Sequence, residues 1–180
     1  MSIWVPDKPE HDWAANRATE WNSKEWNFVK PPGARGCTVE VGPLFLAASE
    51  AKQRFVLAHE VFHCYQLNLA SDATEHFSRP AWLIEGGATW AGSSIAEQWS
   101  GPTPEDSWLW WLVDPKISLD ERAYDAVGFF GRLAESGGVN PWQLMRLLLK
   151  GGRGEEYERA VDVAGETYWR GVRNVVVTTA

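Results

Sequence analysis

Residues 58–66 read AHEVFHCYQ and contain His59-Glu60-Val61-Phe62-His63. On a helix, residues four apart share one face, so His59 and His63 can offer imidazole nitrogens to one ion. Zinc (Zn2+) accepts such nitrogens at tetrahedral angles and leaves a position for water. Glu60 is poorly angled to be a ligand and sits instead where it can take a proton from that water. With four His in 180 residues, a shuffled chain would carry His-Glu-x-x-His on the order of once in a hundred or two hundred times. The surroundings favour a metal over chance. Val56, Leu57, Ala58, Val61 and Phe62 make the environment apolar, and buried imidazoles and a buried carboxylate need partners. The bland alternative is a pair of core histidines bonded to backbone carbonyls.

A zinc site of this kind needs a third ligand. A metzincin would have Gly and His at the third and sixth residues after the motif, where this chain has Gln66 and Leu69. The downstream candidates are Asp72, Glu75, His76 and Glu85. The first three fall in an expected loop, ASDATEHFS, which holds a ligand less rigidly. Glu85 falls in the apolar stretch PAWLIEGGATW, where an uncompensated carboxylate is expensive. Gly86 and Gly87 follow it at a cost of about 1 kcal/mol each in helix stability. They would permit close approach of two helices, as a shared metal requires. Glu85 is the expected third ligand.

The elements that must position these residues divide the chain in two. Up to about residue 47, SIWVP and CTVEVGPLFL read as strands, DWAANRATEW as a possible helix, and KPPGARG as a turn. SEAKQRFVLAHEVFHCYQLNL lacks Pro and Gly and predicts one long helix. A second helix is expected from SRPAWLIEGGATWAGSSIAEQW, with Ser78 as N-cap and Pro80 in its first turn. LDERAYDAVGFFGRLAES reads as a helix closed by Gly137 and Gly138. NPWQLMRLLLK reads as another, capped by Asn140 and closed by Gly151, and GEEYERAVDVAGETYWRGVRNVVV as one or two more. The expected class is α+β: a small N-terminal sheet packed on the active-site helix, followed by a mainly helical part. Residues 1–180 would form one domain, strand-rich over 1–47 and helical over 48–180.

HEVFH followed at this distance by WLIEGGATW resembles the gluzincin metallopeptidases, the clan of thermolysin and aminopeptidase N, and within it the small peptidase MA-like domains. Trp82, Leu83, Glu85, Gly86, Ala88 and Trp90 match their Trp-Leu-x-Glu-Gly-x-Ala-x-aromatic pattern. The likeness covers residues 37 to 150. It implies a zinc peptidase with ligands His59, His63 and Glu85, Glu60 as base, and a peptide or protein substrate. AYDAVGFFGRLAESGG is similar to the later tyrosine helix of such proteins through Tyr124, Phe130, Leu133 and Gly137. Tyr124 would there steady the oxyanion, since a phenol can donate a hydrogen bond as negative charge develops. Thr89 stands where thermolysin-type enzymes carry an Asp four residues after the Glu ligand. No Gly-rich acidic loop of the aminopeptidase type precedes the motif.

Composition bounds the alternatives. A net charge of −7 and a pI near 5.1 leave no basic surface for nucleic acid. No apolar run reaches the length of a membrane span. Cys37 and Cys64 could pair, or serve as two small buried hydrophobes. A start without a targeting segment suggests either a cytosolic protein or a piece of a longer protein with further domains, and with the style of the family it leans toward an extracellular or cell-envelope setting. Twelve tryptophans suggest that some line a groove, with Trp82, Trp90, Trp108, Trp110 and Trp111 near the site. A different class of function uses the same residues: a zinc-stapled binding module, without turnover, presenting a Trp-rich surface to a protein or glycan. Glu60 argues against it, because a purely structural site needs no base.

Overall fold

The structure, a computed structural model, describes residues 2–4, 17–22, 35–40, 43–70, 75–76, 78–100, 106–136 and 141–162. Its backbone separates into two compact units, Met1–His76 with Ala91–Thr103, and Phe77–Trp90 with Pro104–Ala180.

In the first unit, the long helix α2 (Glu50–Leu69) follows a short helix α1 (Pro43–Ala47). Ser49 starts α2 in an extended conformation, and its hydroxyl accepts from the backbone N–H of Lys52 at 3.3 Å. Glu50 in the first turn complements the helix dipole. With no Pro or Gly to interrupt it, the helix runs as the sequence predicts until Ala70 turns extended. Phe55, Phe62 and Leu67 are its buried apolar residues. Helix α3 spans Ala81–Ser100, and Gly92 in its second half lies against Phe55. A Cβ at position 92 would come within 3.0 Å of the Phe55 carbonyl oxygen.

The α+β expectation is corrected. About 80% of the interpretable chain is helical, and from Pro43 onward every regular element among the described residues is a helix. Among the described residues, strand is limited to three short segments, β1 (Ser2–Trp4), β2 (Arg17–Asn22) and β3 (Arg35–Glu40), in the order β1-β3-β2. Val39 on β3 is buried, and the other buried apolar residues among the described ones come from helices and their connections. The strand expected over CTVEVGPLFL ends at Glu40, and from Pro43 the chain is helical, with proline's fixed φ suiting a first helical position. Part of DWAANRATEW, expected as helix, is β2 instead, with Ala18 opposite Val39. Cys37 on β3 and Cys64 on α2 form a disulfide, with Cα atoms 5.6 Å apart.

The second unit contains the first half of α3, then α4 (Asp106–Val113), α5 (Val127–Ser136) and α6 (Pro141–Lys150), with a helical run at 156–162. The first two N–H groups of α3 to bond do so to the Pro80 carbonyl. Pro80 thus stands directly before the helix, with the exposed Ser78 two residues earlier. Trp82 and Leu83 from α3, Phe129, Phe130 and Leu133 from α5, and Leu144, Met145, Leu148 and Leu149 from α6 make the core. Both stripes recur at helical spacing, and each fully buried large side chain contributes roughly 1.5–3 kcal/mol. Trp82 meets Phe129 edge-on, with ring centroids 5.8 Å apart. Helix α4 lies on α5 through two glycines: Trp111 and Trp108 occupy the places that side chains at Gly128 and Gly131 would take.

LDERAYDAVGFFGRLAES is not one helix. Short 3-10 turns at Leu119–Glu121 and Tyr124–Ala126 precede α5. Between them Arg122 is extended, and the Asp125 carboxylate accepts from the Ala123 N–H at 3.0 Å. A side chain here competes for the backbone donor that a continuous helix would use. Residues 30–34 of the expected turn, Asp72, Gly137, Gly138, Asn140 and everything beyond 162 lie outside the described residues. Among the described residues no helix is long and apolar enough to cross a membrane.

Candidate metal centre

Helix α2 places His59 and His63 one turn apart, both buried at 7% and 8% exposure, with their Nε2 atoms 3.1 Å apart. The rings meet nearly at right angles, 86° between planes. Two zinc-bound imidazole nitrogens at about 2.0–2.1 Å from a tetrahedral ion would stand about 3.3 Å apart. The imidazoles thus already have the spacing of one edge of such a site. The chain can hold them there because His63 is fixed from behind. Its Nδ1 donates to the Gln66 side-chain oxygen at 2.7 Å, and Gln66 has no exposed surface. With the proton on Nδ1, the Nε2 lone pair is left for a metal.

Glu85 on α3 joins them. One ligand atom from each of His59, His63 and Glu85 lies within 4.8 Å of the other two. Two neutral imidazoles and a half-buried carboxylate are a donor set that divalent transition ions accept. The group could hold a metal ion, and its chemistry fits one. Glu60, the neighbour of His59, is buried at 6% exposure on the same turn.

The other candidates separate. His76 is buried, and its ring centre is 6.3 Å from that of His63, edge-on, but it is not one of the grouped ligands. Glu75 is half-buried and also outside the group. Thr89, one turn after Glu85, is buried. Tyr124 stands on a 3-10 turn rather than the expected helix and is 53% exposed. That turn is close to Glu85 along the chain's packing. A Cβ on Gly86, the next residue, would lie 2.5 Å from the Ala126 Cβ and 2.9 Å from the Ala123 carbonyl oxygen. Gly86 therefore admits the tyrosine turn. The close approach on α2 belongs to Gly92, which the sequence did not single out.

Of the five tryptophans expected near the site, Trp82 and Trp90 are core, Trp108 and Trp111 are half-buried, and Trp110 is 63% exposed. Sequence reasoning also missed Gln66 as a partner. Its signal was present, because a residue three after His63 shares that face of the helix. Comparison of the chain with models of protein families, with curated proteins and with solved structures returned no match.

Proposed function

We propose that this chain is a zinc-dependent peptidase of the gluzincin type. The observation that carries the reading is the convergence of His59, His63 and Glu85, with Glu60 buried beside them. A purely structural metal site needs no base beside its ligands. Zinc held by the three ligands would supply a Lewis acid and a water of lowered pKa. Glu60 then acts as the base that removes the proton from the attacking water and returns it to the leaving amine. Tyr124 donates its O–H to the carbonyl oxygen as negative charge builds there. Gln66 keeps His63 in the ligating tautomer throughout.

Glu60→Gln tests the assignment. The variant should bind zinc in the same amount as the parent and lose hydrolysis of a mixed peptide library by about a hundredfold or more. Equal zinc with undiminished cleavage would remove Glu60 from the chemistry. Neither variant nor parent cleaving any peptide, with zinc bound to both, would favour the zinc-stapled binding module.

A further inference from the structure

A depression of about 470 Å³ opens between the end of α4 and the turn that carries Tyr124. Its walls include Trp110, Val113, Ile117, Ala123, Tyr124 and Asp125. Four of these hold apolar surface out to solvent: Trp110 is 63% exposed, Val113 62%, Tyr124 53% and Ile117 37%. The volume is in the range of pockets that take small ligands or side chains.

The depression is built, because one buried cation joins its walls. The Arg122 side chain is 2% exposed. It donates to the carbonyl oxygens of Asp114 at 2.5 Å and Ile117 at 3.2 Å on one wall, and to the Asp125 carboxylate at 2.6 Å on the other. Its guanidinium also lies over the Trp111 ring, 4.5 Å from the centroid. A buried guanidinium whose donors bridge two loops holds their spacing before any ligand arrives. On the far side of the same turn, Ala123 and Ala126 abut Gly86, the residue after Glu85.

We infer that this depression is the subsite for one bulky apolar side chain of a peptide substrate, an aliphatic or aromatic residue close to the bond that is cut. The inference rests on the peptidase reading and adds a substrate preference to it. Apolar walls exposed to water gain by covering such a side chain. Asp114, whose carboxylate has no cation among the ion pairs described, is a residue of the wall and turns away an acidic one. Arg122 is a positioning residue: it sets the distance between the walls and does not touch the substrate.

Two measurements on the full chain test this. In the first, cleavage sites in a proteome-derived peptide library are mapped for the parent, Val113→Asp and Arg122→Lys. A bulky apolar residue should be enriched at one position beside the scissile bond. Val113→Asp, at an exposed position, should lower kcat/KM for those peptides about tenfold or more, with zinc content and circular dichroism unchanged. Arg122→Lys should flatten the preference among side chains while zinc stays bound. Cleavage without any side-chain preference in the parent would overturn the subsite. The second measurement needs no turnover. Fluorine NMR of fluorotryptophan-labelled protein, with Trp110 assigned through Trp110→Phe, follows titration with the N-acetyl amides of leucine, phenylalanine and aspartate. The Trp110 signal should move with the first two and not with the third. Movement in a protein that cleaves nothing would keep the subsite and discard the hydrolytic reading. A signal indifferent to the apolar amides would overturn the subsite.

Discussion

His63 donates from Nδ1 to the fully buried side-chain oxygen of Gln66, 2.7 Å away and one turn further along the same helix. One hydrogen bond thus selects which nitrogen of His63 is available to an ion. Gln66→Leu removes the acceptor with little change in volume. Zinc affinity should fall roughly 10–100-fold, read by competition with a chromophoric chelator. Retained affinity in the leucine variant would mean the tautomer is set by something else.

Gly86→Ala should destabilise the protein by about 1–3 kcal/mol, measured by urea denaturation. The added methyl would fall 2.5 Å from the Ala126 Cβ. Ala126→Gly in the same chain should recover part of the loss, because it removes that neighbour. It should not recover all, since the Ala123 carbonyl oxygen remains 2.9 Å away.

Arg79 sits at 1% exposure and pairs with Glu156 at 2.6 Å. It also donates to the carbonyls of Leu149 and Gly151 at 3.1 and 3.0 Å, which end helix α6. Arg79→Met should cost about 3–5 kcal/mol, since it leaves the Glu156 carboxylate buried without its cation. Glu156→Gln should cost less, because an amide oxygen can still accept from Arg79 and the carbonyl bonds survive. Thermal denaturation of the two variants gives the order directly.

The disulfide between Cys37 and Cys64 closes a separation of 27 residues. Cys37→Ser with Cys64→Ser should lower stability by about 3.5 kcal/mol on the chain-entropy account. Denaturation in the presence and absence of reductant should show the same loss in the parent and none in the double variant.

The readable part of this molecule was the part governed by local rules. Ser49, Glu50 and a run free of Pro and Gly specify α2 from nearest neighbours, and a four-residue spacing puts His59 beside His63 whatever surrounds them. Glu85 was reachable through cost, because a carboxylate in an apolar helix needs a reason. The failures share a different cause. Arg122 breaks an apparently continuous helix by bonding to Ile117, Asp114 and Asp125, a tertiary arrangement that no periodicity encodes. Gly92 looked ordinary until Phe55 was placed against it. The fold class was misjudged because β-branched and aromatic residues before residue 47 raised the expectation of a sheet layer. Those strands are three to six residues long, while apolar helix faces supply the core.

Cys64 is bonded to Cys37 and follows directly on His63. Adjacent residues on a helix point about 100° apart, so Cys64 faces β3 rather than the side on which His63 meets His59. The bond anchors the back of that turn to a strand. Reduction would loosen the spacing of the two imidazoles without touching either ring.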